Sequence, residues 1–69
     1  MKYAVVIEKA GSNYSAYVPH LPGCIATGST VAETQANLRD AIQFHLDGLR
    51  EDRGPIPEPS TVCEYLEAG

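Results

Sequence analysis

The stretch STVAETQANLRDAIQFHLDGLREDRG, residues 29–54, decides the fold because it contains the start and the end of one long helix. Thr30 is followed three residues later by Glu33, the spacing of a capping box. In that motif the Thr hydroxyl accepts a hydrogen bond from a free backbone N–H, and the Glu carboxylate reaches back toward the cap. Gly54 suits the position after the last helical residue, and the proline that follows it cannot continue a helix. The sequence therefore predicts a helix that begins after Thr30 and ends near Arg53.

Apolar residues inside this stretch recur at spacings of three, four and seven, which places them on one side of a helix. They are Val31, Leu38, Ile42, Leu46 and Leu49, with Ala41 and His45 beside them. Most of the charged and amide side chains, including Asp40 and Asp47, fall outside this stripe. The pattern predicts an amphipathic helix that packs on a sheet.

Three short segments before the helix have the composition of strands. They are KYAVVIEKA (2–10), YSAYVP (14–19) and CIATG (24–28), which are rich in β-branched and aromatic residues. A tight connection at residues 11–13 favours a hairpin between the first two, and the Pro22-Gly23 pair favours a turn before the third. The sequence predicts an antiparallel meander.

After the helix, the segment PIPEP (55–59) has proline at every second residue, which favours an extended spacer. TVCEYL (61–66) then has the composition of a final strand. The predicted order is βββαβ, an α+β fold in which an antiparallel sheet carries one long helix on one face. A length of 69 residues suits a single small domain, residues 1–69.

The first strand is apolar on both faces, although one helix can cover only one face of a sheet. Ala4 and Val6 alternate with Val5 and Ile7 along it. Strands that are apolar on both faces are usually covered on both, and small cores gain from oligomerisation. We therefore expect Ala4, Val6 and Tyr17 at the interface of a homo-oligomer, a dimer or a tetramer. The alternative is that these are tolerated exposed apolar residues.

Composition and charge restrict the class of partner. The net charge is −4, and the five Lys and Arg residues are scattered along the chain. Because nucleic-acid binders present a clustered basic face, direct nucleic-acid binding by the monomer is not expected. An acidic surface suits a basic partner. The sequence shows no secretory signal and no membrane-spanning run, so we expect a cytoplasmic protein with reduced thiols.

The residues of reactive type do not form a recognisable catalytic or metal site. His20 and Cys24 could act as a base and a nucleophile, but no orienting acid or oxyanion motif accompanies them. His45 and Cys63 complete no zinc-ligand spacing with them, and the acids show no two-metal pattern. We expect no catalytic residue, no cofactor and no metal.

Residues 14–59 resemble the HicB antitoxin family. The resemblance rests on the order and spacing of a set of short elements. These are Tyr17-Val18-Pro19, Leu21-Pro22-Gly23-Cys24, Gly28, Thr30, Glu33, Asn37, Ala41-Ile42, and Gly54 followed by Pro55, Pro57 and Pro59. Position 20 is His where relatives frequently have Asp, and position 34 is Thr where Ala is frequent.

The resemblance implies a degenerate ribonuclease-H-like fold and a role in a type II toxin–antitoxin system. The protein would bind a small, basic, mRNA-cleaving toxin of the HicA type and mask its RNA-binding and active surface, without being an enzyme. Our candidates for partner contact are Glu8, Tyr17, His20, Leu21, Pro22 and Asp47. Many relatives carry a C-terminal DNA-binding module, and we expect none within these 69 residues.

Two other classes of function remain alternatives at this point. One is an orphan oligomerisation or small-ligand-binding domain without a toxin partner. The other is a metal-dependent hydrolase that uses His20 and Cys24, which predicts bound metal and a readily alkylated thiol.

Overall fold

The computed structural model describes all 69 residues and has three strands followed by one helix. The strands are β1 (Val6–Ala10), β2 (Asn13–Tyr17) and β3 (Ile25–Gly28), and the helix is α1 (Val31–Glu51). The sheet has the order β1-β2-β3, and both strand pairs are antiparallel. The predicted α+β class and the three-stranded meander are therefore confirmed.

The two connections in the sheet depend on glycines with positive φ. Gly11, in the loop between β1 and β2, has φ +64°. Between β2 and β3, the Cys24 N–H donates to the Leu21 carbonyl at 3.0 Å, and Gly23 has φ +82°. Pro22 and Gly23 thus occupy the central positions of a type II turn, which needs a positive φ at its third residue. The predicted Pro-Gly turn is confirmed.

The helix begins where the capping motif predicts. The Thr30 Oγ1 accepts a hydrogen bond from the Glu33 N–H at 3.0 Å. The Glu33 carboxylate does not reach back to the cap, because its Oε2 accepts a hydrogen bond from the Ser29 hydroxyl at 2.6 Å. The N-terminal cap therefore involves Ser29 in addition to Thr30 and Glu33.

The helix ends one residue earlier than predicted. Asp52 is the C-cap, and Arg53 has the left-handed φ of 55° that we expected at Gly54. The Gly54 N–H donates to the Leu49 carbonyl and the Arg53 N–H to the Arg50 carbonyl. These two bonds define a Schellman motif in which Arg occupies the position that usually holds Gly.

The core lies between α1 and one face of the sheet. Its buried apolar residues are Ala16, Val18, Leu21, Cys24, Leu38 and Leu46. One prediction for the helix was wrong, since Val31 is 42% exposed because it is the first helical residue. Thr34, which the predicted apolar stripe did not include, is fully buried. Thr34 tolerates burial because its hydroxyl donates to the Thr30 carbonyl at 2.7 Å.

The predicted final strand at residues 61–66 is not formed, and the chain has no helix or strand after Glu51. Residues 56 and 57, which precede this segment, are held against the domain. Ile56 packs against the core, and the Tyr3 hydroxyl donates to the Pro57 carbonyl at 2.5 Å. Every residue from 61 to 69 is exposed. Without buried side chains, backbone pairing at the edge of a sheet has no packing to support it.

Candidate partner-binding surfaces

The face of the sheet turned away from α1 is uncovered and carries a continuous apolar row. Val6 pairs with Tyr17 and Tyr17 with Ile25, so these three side chains lie side by side across the sheet. Tyr17 is 45% exposed and Ile25 is 68% exposed. We call this row, with Ala4 before it in the chain, the open sheet face.

The polar residues of the same face form a second row. Glu8 pairs with Ser15, and Ser15 with Thr27. Glu8 is exposed and is the only charged side chain in these two rows. The open sheet face therefore has an apolar side and a polar side that carries one negative charge.

Sequence reasoning placed Ala4, Val6 and Tyr17 on one surface but missed Ile25. The structure brings Val6 and Tyr17 together, whereas Ala4 precedes β1 and is half-buried. The alternation of Ile25 with the buried Cys24 and the half-buried Ala26 is the signal that could have identified it.

The outer side of α1 carries an acidic surface with an aromatic residue in its middle. At 3.6 residues per turn, the residues on the side facing away from the core include four carboxylates and one phenylalanine. They are Glu33, Asp40, Phe44, Asp47 and Glu51, which we call the acidic ridge. Phe44 is 82% exposed. Sequence reasoning named Asp47 but missed Phe44, although a large apolar residue on the polar side of a helix is a recognisable signal.

Asp47 is held in place by two neighbours on its own helix. Its Oδ1 accepts hydrogen bonds from Gln43 Nε2 at 3.0 Å and from Arg50 Nη1 at 3.2 Å. Both charged side chains are more than half exposed, so the pair contributes little to stability. Its effect is to orient the carboxylate on the surface.

The turn between β2 and β3 separates the three contact candidates that it contains. Leu21 is fully buried, so its side chain belongs to the core and is not available to a partner in this conformation. Pro22 is exposed. His20 is half-buried, and its Nε2 lies 3.5 Å from the Ser60 hydroxyl. Of the three candidates, the turn therefore exposes Pro22 and part of His20.

The predicted contact residues lie on two different surfaces. Glu8 and Tyr17 point from the open sheet face, while Asp47 lies on the helix that covers the opposite face. The thickness of the sheet and the helix separates them, so one flat partner surface cannot contact all three.

The thiol of Cys24 has the environment of a core residue. It is buried, and desolvation raises its pKa, which lowers the thiolate fraction at any given pH. No group of three or more His, Cys, Asp and Glu side chains converges as metal ligands would. Cys63 is exposed in the C-terminal segment. The helix α1 lacks the apolar run of a membrane-spanning helix.

Several curated proteins resemble this chain over most of its length. An uncharacterized 14.9 kDa protein from the rep-hol intergenic region of Haemophilus phage HP1 is 36% identical over 66 residues, which cover 96% of this chain. The chain spans only 50% of that phage protein. A UPF0150 protein of Thermoplasma acidophilum is 38% identical over 58 residues, covering 83% of this chain and 84% of its own.

Two solved structures share the fold. The N-terminal domain of the Burkholderia pseudomallei antitoxin HicB superposes with a TM-score of 0.80 and 32% identity, over 88% of this chain and 74% of that one. A chain of the HicA3 and HicB3 toxin–antitoxin complex superposes with a TM-score of 0.73 and 28% identity, over 87% and 70%. The helix and the meander are thus the shared framework of these proteins.

Some residues that carry the resemblance have a visible structural reason. Gly28 lies against the backbone of Thr34, and the Asn37 side chain donates to the Thr27 carbonyl at 2.8 Å. Both contacts fasten α1 to β3. The family model for the HicB-like antitoxin of bacterial toxin–antitoxin systems matches residues 3–68. On this framework and this match, the chain belongs to the HicB-like antitoxin family.

Proposed function

We propose that this protein neutralises a small HicA-type, mRNA-cleaving toxin by covering the basic surface with which the toxin holds RNA. The observation that carries the proposal is the match of residues 3–68 to the antitoxin family. The fold shared with a chain of the HicA3 and HicB3 complex supports it. Masking a surface needs complementary shape and charge and no catalytic group, so the proposed role is not enzymatic.

The acidic ridge is the surface we assign to the toxin. A ribonuclease must bind phosphates and therefore presents positive charge, which four carboxylates on one helix face complement. Phe44 stands among them with 82% of its surface exposed. Aromatic residues at the centre of a polar patch are frequent binding anchors, because they bury a large area at little entropic cost.

The open sheet face is the surface we assign to a second copy of the chain. Its apolar row of Val6, Tyr17 and Ile25 lies on the opposite side of the molecule from Phe44. Under this assignment, Ala4 borders the interface. Glu8, in the polar row of the same face, then lies at the polar side of the interface. The two surfaces are separate, so self-association and toxin binding can occur together.

The test is an RNA-cleavage assay with a purified toxin of the HicA type encoded beside this chain. We expect the full chain to stop cleavage at an equimolar ratio and to form a complex that weakens as salt increases, because charge complementarity is screened. Unchanged cleavage at a tenfold excess of the chain would contradict the proposal. It would favour an orphan oligomerisation domain instead.

The double variant Asp40→Lys and Asp47→Lys sharpens this test. Both side chains are exposed, so circular dichroism should show an unchanged fold. We expect inhibition to be lost while the helix remains. The matched variant Glu58→Lys and Glu64→Lys changes the net charge equally but lies away from the ridge, so it should still inhibit. Equal inhibition of the toxin by both double variants would show that the acidic ridge is not the toxin-binding surface.

A further inference from the structure

A concave surface lies between α1 and the N-terminal residues, on the side of the helix away from β3. It has a volume of about 670 Å³. Val5, Leu38, Ile42 and Leu46 form its apolar floor. The groove exists because α1 packs mainly over β2 and β3, which leaves the helix-facing side of the chain before β1 partly uncovered. We call it the helix groove.

The rim of the helix groove is basic in an acidic protein. Lys2, Arg39 and Arg50 line it, and no Asp or Glu does. These are three of the five Lys and Arg residues in a chain of net charge −4. The only salt bridge in the structure joins Arg50 to Asp47, so Lys2 and Arg39 have no ion-pair partner. The groove therefore suits a segment that combines apolar and acidic side chains.

The C-terminal segment TVCEYLE, residues 61–67, has that chemistry. All its residues are exposed, and Val62, Tyr65 and Leu66 are 78%, 104% and 85% exposed. Glu64 and Glu67 are its charged residues, and it contains no Lys or Arg. Apolar side chains exposed at adjacent positions are typical of a segment that is buried in a complex.

The segment does not enter the helix groove of its own chain. Ile56 packs against the core, and Pro57 accepts a hydrogen bond from Tyr3, which lines the groove. The chain then continues past the groove, and residues 62–65 lie beside Val5–Glu8. The prolines at positions 57 and 59 fix φ and favour an extended path, which opposes a turn back into the groove.

We propose that residues 61–67 of one copy bind in the helix groove of a second copy, with Glu64 and Glu67 opposite Lys2 and Arg39. This contact buries the exposed apolar side chains of the segment and gives the two unpaired cations partners. It is separate from the open sheet face and does not depend on a toxin.

Charge reversal on the full chain tests this pairing. The groove variant is Lys2→Glu with Arg39→Glu, and the segment variant is Glu64→Lys with Glu67→Lys. We expect sedimentation analysis to show self-association about tenfold weaker than wild type for each variant alone, since like charges then face each other. A mixture of the two should recover association, because the reversed groove then faces the reversed segment.

The matched control is Lys9→Glu with Arg53→Glu, which changes net charge equally at cations outside the groove and should associate like wild type. Circular dichroism checks the fold of each variant. A wild-type chain that stays monomeric, variants that associate like wild type, or a mixture that shows no recovery would each overturn the proposal.

A disulfide gives a second, independent measurement. Gln43 lines the groove, and Cys63 lies within the segment. We expect mild oxidation of Gln43→Cys to give a covalent dimer that disappears when Cys63→Ser is added. A cross-link within one chain, seen as a faster-migrating monomer, would contradict binding between copies.

Discussion

Gly28 at the end of β3 lies so close to Thr34 of α1 that a Cβ at position 28 would stand 2.6 Å from the Thr34 Oγ1 and 2.7 Å from its backbone nitrogen. Thr34 cannot move away easily, because it is fully buried and its hydroxyl is bonded to Thr30. The contact sets how closely the first turn of α1 approaches the end of β3.

Gly28→Ala should therefore destabilise the fold. The added methyl group forces β3 and α1 apart, which costs about 2 kcal/mol of unfolding free energy. Gly48→Ala is the matched control, since a Cβ there has nothing within 4 Å and Ala favours a helix over Gly by about 1 kcal/mol. Urea unfolding should show the two variants moving in opposite directions. Equal urea midpoints for Gly28→Ala and Gly48→Ala would contradict the close approach of β3 and α1.

Arg53→Gly should stabilise the chain. Arg53 occupies the left-handed region at φ 55°, where a non-glycine residue costs about 1 kcal/mol. Glycine removes this cost, although it loses more freedom on folding, so we expect a gain of about 0.5 kcal/mol or more. Thermal and urea unfolding measure it. Gly54→Ala, whose added Cβ meets Leu49 at an ordinary 3.7 Å, should change stability little. A loss of stability in Arg53→Gly would count against the Schellman geometry.

The two thiols should differ in reactivity. Cys63 is exposed, whereas burial hides Cys24 and raises its pKa. A thiol reagent should modify one cysteine per native chain and two after unfolding, and the Cys63→Ser variant should react only when unfolded. Fast native labelling of Cys24 in that variant would revive the nucleophile hypothesis.

The raised pKa of Cys24 also makes the free energy of unfolding depend on pH. Because the folded pKa of Cys24 lies above the unfolded one, the unfolded chain releases this proton first as pH rises. The stability that the protonated Cys24 thiol contributes is fully present below the pKa of the unfolded chain, and it is lost as pH rises through the pKa of the folded chain. Unfolding free energy should therefore fall in alkaline solution, and less steeply in Cys24→Ala. Identical slopes would show that Cys24 does not carry the effect.

Phe44→Ala should weaken toxin binding without lowering stability, because the side chain is 82% exposed. Loss of an anchor residue at an interface costs about 2 kcal/mol, or roughly thirtyfold in Kd. Calorimetry with the toxin measures this, and Gln35→Ala, at an exposed position of the same helix outside the acidic ridge, is the control. If the two variants bind alike, Phe44 is not the anchor.

Ile25→Thr should weaken self-association through the open sheet face. Threonine keeps the β-branched shape that a strand favours, so the fold should persist, while the apolar row loses its most exposed member. Sedimentation at several concentrations measures the shift. Thr27→Ser, in the polar row of the same strand, should behave like wild type. An unchanged association constant for Ile25→Thr would exclude this face.

Local sequence signals anticipated much of the fold. The Thr30 cap and the Pro22-Gly23 turn formed as predicted because their determinants lie within a few residues of each other. The buried Thr34 escaped prediction because its place in the core depends on Gly28, six residues away and in a different element. The burial of Leu21 was also not predicted, because a turn residue normally faces solvent and this one is enclosed by core residues from other segments.

By itself, the sequence determined the three strands of the antiparallel meander, the helix that follows them and the acidic balance, because periodicity, capping, turn residues and charge are local or additive properties. Only the tertiary structure decided which residues share a surface. It separated Tyr17 from Asp47, brought Val6, Tyr17 and Ile25 into one row, and left residues 61–66 unpaired. Those outcomes depend on strand register and on how far one helix extends over a sheet, which are set by packing between segments distant in the chain.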